Sequence, residues 1–242
     1  MTASLLSGRY QSDTGIPETP ATMPGDARVG GHEPQRRPYL GKRLLDLIVV
    51  SLVIVPAVVL CALAALAHLV AHGRPVLFRQ HRVGRDGRLF LLLKLRTMRS
   101  APAEPDGAGD TDNDRVTAVG RVLRRTSLDE LPQLVNVLRG QMSLVGPRPT
   151  LPYQVRRYTE RQQLRLLVTP GLTGLAQVHG RQQLSWPERI EWDLRYVLRQ
   201  SFRLDLAILC LTVWTVMAGG GTTASHADDP IAHRSEGMLS GA

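Results

Sequence analysis

The stretch Leu47–Ala67, with the sequence LIVVSLVIVPAVVLCALAALA, contains 21 residues and no charged side chain. A helix of this length and composition is long enough to cross a lipid bilayer. Pro56 lies near its middle, where a proline removes a backbone hydrogen bond and bends the helix. The hydroxyl of Ser51 can bond to carbonyls that such a bend strains. The stretch therefore predicts a membrane helix with a break near Pro56.

Basic residues flank this stretch on both sides. They are Arg36, Arg37, Lys42 and Arg43 before it, and Arg74, Arg79, Arg82, Arg85 and Arg88 after it. Because basic flanks tend to stay in the cytoplasm, we expect both ends of the stretch on the same side of the membrane. We therefore predict a re-entrant helix-break-helix over residues 39–73. A single-pass anchor and a buried core helix are the alternatives.

The composition of the whole chain limits the class of protein. Hydrophobic residues make up 43% of the 242 residues, which is too few for a polytopic membrane protein. The two cysteines, Cys61 and Cys210, lie far apart and form no CxxC pair, which argues against a disulfide scaffold or a thiolate metal cluster. A net charge of +9 favours anionic partners: nucleic acid, anionic lipid or a phosphorylated substrate. Composition alone leaves these three partners open.

The remaining sequence divides into terminal segments and one domain. Residues 1–38 and 222–242 are rich in small and polar residues and are predicted to be a disordered leader and a disordered tail. Residues 74–221 contain short strand and helix patterns, so we predict a small α/β domain and an α+β fold overall. An apolar helix over residues 204–217 is too short to span a membrane. We expect it to lie in the membrane interface, with a core helix as the alternative.

Local patterns predict the elements of this domain. Short apolar runs predict strands at Val76–Gln80, Leu89–Leu95, Met142–Val145 and Leu175–Val178. The first two runs flank an Asp-Gly pair and predict a hairpin. Helical periodicity predicts helices at Ala118–Arg125, Leu128–Leu138, Leu151–Leu166 and Pro187–Arg199.

An acidic pair, Asp129 and Glu130, stands in otherwise basic surroundings. Ser127 and Glu130 have the spacing of a capping box, which predicts that a helix begins here. In the first turn of a helix the dipole favours ionised carboxylates, and these can act as nucleophiles or Mg²⁺ ligands. Arg124, one turn upstream, could hold phosphate oxygens. The alternative is a well-capped surface helix with no chemical role.

The segment Gly146-Pro147-Arg148-Pro149 is a second candidate. Its two prolines restrict the backbone on both sides of Arg148, so the guanidinium loses little entropy when it binds an anion. We interpret it as a contact for a diphosphate or a nucleobase edge. A rigid turn with a solvated arginine is the alternative.

Several motifs stand in order between residues 40 and 220. They are Lys42-Arg43-Leu44-Leu45-Asp46, Phe78-Arg79-Gln80, Lys94-Leu95-Arg96-Thr97-Met98, Arg124, Thr126-Ser127-Leu128-Asp129-Glu130-Leu131-Pro132-Gln133, Asn136-Val137-Leu138-Arg139-Gly140, Met142-Ser143-Leu144-Val145-Gly146-Pro147-Arg148-Pro149 and Pro170-Gly171-Leu172-Thr173-Gly174. In these motifs the chain resembles the bacterial sugar transferase family, the monotopic polyprenyl-phosphate phosphoglycosyl transferases (undecaprenyl-phosphate sugar phosphotransferases). It departs from the family at Leu175 and His179, where Trp and Asn are usual, so the resemblance does not predict which sugar is used.

The resemblance implies a reaction and its reactants. A sugar 1-phosphate would pass from a UDP-sugar to polyprenyl (undecaprenyl) phosphate with release of UMP, as the first step of exopolysaccharide, capsule or other glycan assembly. Asp129 would form a covalent phosphosugar intermediate, Glu130 would be a second catalytic residue, and both would bind Mg²⁺. The enzyme would lie on the cytoplasmic (inner) membrane with its catalytic domain facing the cytoplasm. Membrane lipid is an implied partner, and downstream glycosyltransferases are further candidates.

The resemblance also assigns the remaining site residues. Contacts with substrate phosphates and the nucleotide are implied for Arg124, Arg148, Pro147, Pro149, Lys94, Arg96 and Arg181. Functional positions in the membrane helix are implied for Lys42, Arg43, Asp46, Ser51 and Pro56. The competing hypothesis is a non-enzymatic basic membrane adaptor or a nucleic-acid-binding protein, which gives no reason for the acidic pair. Nucleic acid is not expected, because the basic stretch Arg74–Arg99 lacks stacking aromatics and a recognisable binding motif.

Overall fold

The computed structural model describes residues 38–99, 115–179 and 184–217. The predicted tail, nearly all of the predicted leader, and Arg181 lie outside these residues. The helices are α1 (Lys42–His72), α2 (Ala118–Thr126), α3 (Gln133–Leu138), α4 (Pro152–Val155), α5 (Glu160–Gln163), α6 (Leu175–His179), α7 (Trp186–Arg199) and α8 (Phe202–Met217). The strands are β1 (Leu77–Val83), β2 (Leu89–Leu95), β3 (Ser143–Val145) and β4 (Gly171–Thr173). This mixture of helices with small sheets agrees with the predicted α+β class.

Helix α1 is 31 residues long and is the one helix in the described part of the chain that is long and apolar enough to cross a membrane. Its buried side chains recur every four or seven residues, so a single face packs against the domain. They are Lys42, Asp46, Val50, Ala57, Ala64 and His68. Large apolar side chains cover the other faces and are exposed, among them Leu52, Val55 and Val70. An exposed apolar surface of this size indicates association with a membrane.

The predicted break at Pro56 does not appear as a gap in α1, because the helix continues through this residue. Val50 and Ala57, on either side of the proline region, both belong to the main hydrophobic core. We infer that this packing compensates for the backbone hydrogen bond that proline removes. The re-entrant path itself stays a prediction.

Two small sheets lie next to α1. Strands β1 and β2 form the predicted hairpin, in which Leu77 pairs with Leu95 and Val83 with Leu89. Strands β3 and β4 form a parallel pair in which Ser143 faces Gly171. A side chain at Gly171 would clash, since an added Cβ would lie 2.1 Å from the backbone nitrogen of Gly146.

Three of the predicted elements differ from the structure. The predicted helix Leu128–Leu138 is a 3₁₀ turn at Leu128–Glu130 followed by a helix that begins at Gln133, after Pro132. Residues Leu175–His179 form helix α6 rather than a strand, and the extended segment is β4, which precedes them. The predicted helix Leu151–Leu166 is divided into α4, α5 and a 3₁₀ turn at Leu164–Leu167. Thr159 starts α5 by accepting a hydrogen bond from the backbone of Gln162, and this local cap competes with a continuous helix.

The main hydrophobic core joins α1, the hairpin, the β3–β4 pair and the two last helices. Its largest buried members include Tyr196 and Ile208, from α7 and α8. Helix α8 confirms the predicted final helix and exposes apolar side chains on its other side, including Phe202, Val213 and Trp214. In both α1 and α8, therefore, one face joins the core and large apolar side chains are exposed on the other faces.

Candidate active site

The acidic pair lies in a tight turn between two helices. Ser127 ends α2 with a left-handed backbone (φ 59°), and Leu128–Glu130 form one turn of 3₁₀ helix. The predicted capping box is wrong, because the Ser127 side chain makes no capping hydrogen bond. Helix α3 begins later, at Gln133, after Pro132 as its N-cap. The Glu130 side chain therefore does not take part in a capping box and bonds to other residues.

Glu130 holds two cations together. Its Oε1 accepts hydrogen bonds from Lys94 Nζ of β2 and from Arg148 Nη2, both at 2.8 Å. Burial raises the pKa of Glu130, but the charges of Arg148 and Lys94 outweigh burial and lower it well below the ordinary range. Glu130 is therefore ionised, and it links the hairpin to the Pro147–Pro149 region.

Asp129 has a different environment. It is 6% exposed, and its charged partner is Lys94, whose Nζ lies 3.7 Å from Oδ2. Within the described residues its carboxylate accepts no hydrogen bond. Burial raises the pKa of Asp129, and the charge of Lys94 opposes that effect. The sequence placed Asp129 in the first turn of a helix, which favours the ionised form, whereas in the structure Asp129 precedes α3 and burial is the largest influence on its pKa.

Two more predicted residues come from neighbouring elements. Arg124 of α2 donates from Nε to Thr97 Oγ1 at 2.9 Å, and its charge contributes to lowering the pKa of Asp129. Arg124 therefore lies in the electrostatic range of the acidic pair. Arg96 donates from Nε to the carbonyl of Met98 at 3.0 Å, a bond that does not reach that pair.

The segment Pro147–Thr150 is fixed by four hydrogen bonds, one to each successive carbonyl. The donors, in order along the segment, are Gly171 N (2.9 Å), Arg165 Nη2 (3.1 Å), Arg82 Nη1 (3.2 Å) and Val83 N (2.9 Å). Pro147 and Pro149 are buried, whereas the side chain of Arg148 is 46% exposed and reaches Glu130. The segment thus presents Arg148 from a rigid backbone, as its prolines predicted.

Two arginines that sequence reasoning missed, Arg82 and Arg165, support this segment. Arg165 is buried, forms an ion pair with buried Asp193 and donates to the hydroxyl of Tyr158 at 2.5 Å. No motif surrounds either arginine, and the partners of Arg165 at Arg148 and Asp193 are 17 and 28 residues away in sequence. Only the folded arrangement brings them together.

The first turns of the membrane helix connect to the same region. Lys42 Nζ donates to Asp205 at 2.5 Å, to the Val145 carbonyl at 2.8 Å and to Tyr196 at 3.2 Å. Asp46 accepts from Ser143 Oγ at 2.9 Å and from the Leu144 backbone at 3.0 Å. These contacts hold β3, which leads directly into Gly146.

The other predicted helix residues have separate positions. Arg43 donates to the carbonyls of Val137 and Leu138 at the end of α3, at 2.6 and 2.8 Å. Ser51 and Pro56 are exposed on α1, whereas Asp129 is buried. The first turns of α1 bond to β3 and to the end of α3, and its later part packs beside the turn of the acidic pair, where Ala64 shares a cluster with Leu128.

The donor set can be tested against Mg²⁺, which takes one or two carboxylates together with phosphate oxygens. Among the residues described, no group of three or more His, Cys, Asp or Glu side chains is suited to a metal ion. Asp129 and Glu130 supply two carboxylates, and over the same residues Glu130 Oε2 accepts no hydrogen bond. The pair therefore fits a Mg²⁺ ion that a substrate phosphate helps to hold.

The chain was compared with known proteins. A family model described as bacterial sugar transferase matches residues 37–219. The chain is 50% identical to "Uncharacterized sugar transferase EpsL" of Bacillus subtilis over 151 residues, which is 62% of this chain and 73% of that protein. It is 44% identical to a UDP-glucose:undecaprenyl-phosphate glucose-1-phosphate transferase of Caulobacter vibrioides over 207 residues, 80% of this chain and 76% of that protein. An undecaprenyl-phosphate galactose phosphotransferase of Salmonella typhimurium is 40% identical over 165 residues, covering 62% of this chain and 35% of that protein.

The residues that the family model matches include the turn with Asp129 and Glu130, the segment with Arg148 and the whole of α1. The chain belongs to the bacterial sugar transferase family.

Proposed function

We propose that this enzyme transfers a sugar 1-phosphate from a UDP-sugar to undecaprenyl phosphate and releases UMP. The observation that carries the proposal is Asp129, a buried carboxylate without hydrogen-bond partners in the described residues, among Lys94, Arg124 and Arg148. The UDP-sugar donor is inferred from the name of the Caulobacter relative, and the undecaprenyl-phosphate acceptor from the names of the Caulobacter and Salmonella relatives. The product would begin the assembly of an exopolysaccharide or related glycan.

The proposed reaction has two displacements at phosphorus. An oxygen of Asp129 attacks the β-phosphorus of the UDP-sugar, the bond to the bridging oxygen breaks, and UMP leaves with that oxygen. The resulting acyl phosphate carries the sugar on the enzyme. An oxygen of undecaprenyl phosphate then attacks the same phosphorus, which frees the Asp129 carboxylate and gives undecaprenyl-diphospho-sugar. A nearly unpartnered carboxylate is suited to this role, because few contacts must break before it attacks.

Phosphoryl transfer depends mainly on positioning and on charge stabilisation. Lys94 and Arg148, both held by Glu130, supply positive charge next to Asp129. Glu130 would act as a positioning residue for these cations. When bound, Mg²⁺ would neutralise negative charge on the phosphates, and Asp129 and Glu130 would hold it.

The contacts of α1 support a re-entrant or in-plane path with both ends on one side, which we propose is the cytoplasmic side of the inner membrane. Lys42, at its first residue, bonds to β3, and Ala64, near its end, packs with Leu95 and Leu123. A straight helix of 31 residues is about 45 Å long, so a span perpendicular to the membrane would carry its end away from the domain. Since both ends contact the same domain, both should remain on its side.

Single-cysteine labelling tests this topology. Cysteines introduced at positions 30 and 85, in a Cys61→Ala/Cys210→Ser background, should react with a membrane-impermeant thiol reagent from the same side, because both flanks are basic. The measurement compares labelling in spheroplasts with labelling in inverted vesicles. Labelling of the two positions from opposite sides would show a true span.

Assay of UMP release tests the reaction. The enzyme in lipid nanodiscs is incubated with undecaprenyl phosphate, Mg²⁺ and a panel of UDP-sugars, since Leu175 and His179 leave the sugar open. We expect UMP from at least one donor. No UMP across the panel would contradict the proposed donor and acceptor.

Replacement of Arg148 by lysine tests the role of the rigid guanidinium. We expect Arg148→Lys to lose about 1–3 kcal/mol of transition-state stabilisation, because a point charge cannot reproduce a planar donor that binds Glu130 and phosphate together. The measurement is kcat/KM for the UDP-sugar. Arg139→Lys, at an exposed arginine after α3, is the matched control. An unchanged kcat/KM in Arg148→Lys would assign Arg148 a structural role.

A further inference from the structure

Arg82 is placed beside the Pro147–Thr150 segment by the end of β1. The neighbouring residue, Val83, donates its backbone N–H to Thr150 at 2.9 Å. Arg82 itself donates from Nη1 to the Pro149 carbonyl at 3.2 Å and from Nη2 to Gln80 Oε1 at 2.7 Å. Its guanidinium is therefore held on the hairpin side of the segment that presents Arg148.

The hydrogen-bond acceptors of Arg82 are both neutral. Burial and, to a smaller extent, the positive charge of Arg148 lower the pKa of Arg82 to about 10, while the charge of Glu130 opposes them. The guanidinium of Arg82 thus lies within electrostatic range of both residues. Over the described residues no carboxylate forms an ion pair with it.

Arg82 also retains donors that have no protein partner. A guanidinium carries five N–H groups, and the two hydrogen bonds described above use two of them. The Nε atom is buried and has no hydrogen-bond partner. A buried donor without a partner is costly, and a bound ligand can supply the acceptor.

The charges around the acidic pair are unbalanced. Four cations, Lys94, Arg82, Arg124 and Arg148, stand near two carboxylates, which leaves two positive charges in excess. In a partly desolvated site such an excess is stabilised by a bound anion. A phosphate or diphosphate group has the matching charge.

We propose that Arg82 is a second anion-binding arginine of this site, which together with Arg148 receives a phosphate group of a substrate. This inference rests on the proposed function. The diphosphate of a UDP-sugar and the phosphate of the lipid acceptor share the required chemistry, and the two arms of the test separate them.

The first arm measures the affinity of the enzyme in nanodiscs for UDP by calorimetry. We expect Arg82→Gln to weaken UDP binding about 10- to 100-fold, the range of a lost charge-assisted hydrogen bond. The second arm measures KM for undecaprenyl phosphate, which should rise by a similar factor if Arg82 binds the acceptor instead. Arg88→Gln, at an exposed arginine in the turn of the same hairpin, is the control and should change neither value. If Arg82→Gln changes neither UDP affinity nor the acceptor KM, the proposal is overturned.

A double-mutant cycle separates anion binding from a role in positioning Arg148. If Arg82 contacts the anion directly, Arg82→Gln should still weaken binding in the Arg148→Gln background, with a fold loss that the shared anion makes different from the loss in the wild type. If Arg82→Gln has no further effect in the Arg148→Gln background, Arg82 acts only through Arg148 and direct binding is wrong. Should Arg82→Gln fail to fold, Arg82→Lys keeps the charge and should show a smaller loss in the same arm. Failure of the proposed function would appear separately, as a wild-type enzyme that releases no UMP.

Discussion

The Asp129→Asn variant should release no UMP above background, a loss of roughly 10⁴-fold or more, as expected when a nucleophile is removed. The amide is neutral and cannot displace UMP from the β-phosphorus, although it has nearly the same size as the carboxylate. The measurement is UMP release with the preferred UDP-sugar, undecaprenyl phosphate and Mg²⁺. Asp86→Asn, at an exposed aspartate in the hairpin turn, is the matched control and should retain activity.

Loss of activity alone would not separate a nucleophile from a Mg²⁺ ligand. The separating measurement is the intact mass of the wild-type enzyme after incubation with UDP-sugar and Mg²⁺ without lipid acceptor. We expect a phosphosugar adduct on the peptide that contains Asp129, together with a burst of one UMP per enzyme. UMP that appears only with the acceptor, without an adduct, would instead indicate direct attack by the lipid phosphate, with Asp129 binding the metal.

The second large effect concerns stability. Asp193→Ala should lower the free energy of unfolding by about 3–5 kcal/mol, because it leaves the buried guanidinium of Arg165 without its counter-charge. Glu191→Ala is the matched control. Glu191 is two residues away on α7 and forms an exposed ion pair with Arg161, so its loss should cost about 0.2–1 kcal/mol.

Denaturant unfolding of the enzyme in nanodiscs, followed by tryptophan fluorescence, compares the two variants. Equal small losses would contradict the energetic importance of the Arg165–Asp193 pair. A double variant, Arg165→Met/Asp193→Leu, should recover much of the stability, since an apolar pair removes the isolated charge. Its activity should nevertheless fall below that of the wild type, because the carbonyl of Arg148 would lack the donor from Arg165.

Sequence patterns predicted the parts of the fold that depend on neighbouring residues. The hairpin followed from two apolar runs and an Asp-Gly turn, and the membrane-type helix from the uncharged stretch Leu47–Ala67. Asp129 and Arg148 could also be chosen as candidate site residues from the sequence, because each lies within a short motif. Family membership excludes the alternative of a non-enzymatic adaptor.

Other features depend on contacts between distant residues and could not be predicted. The spacing of Ser127 and Glu130 fits a capping box, but Glu130 gains more from the charges of Lys94 and Arg148 than from one backbone N–H. Leu175–Val178 is apolar enough for a strand, yet the backbone N–H groups of Gln177 and Val178 bond to Gly174 and begin a helix. The sequence marked Arg82 only as part of a basic flank, because its contact with the Pro149 carbonyl joins residues that are 67 positions apart.

The buried contact between Lys42 and Asp205 has a consequence for how the enzyme meets its lipid substrate. It joins the first turns of α1 and α8, the two helices with exposed apolar surfaces, so if both enter lipid as predicted, neither would change its depth without the other. In the proposed arrangement the turn with Asp129 would then be held at one height relative to the bilayer. A lipid phosphate would reach it by diffusion in two dimensions. The encounter rate would therefore depend on the surface density of the acceptor in its leaflet. The reaction rate would then vary with this surface density as the rate of a soluble enzyme varies with the concentration of its substrate.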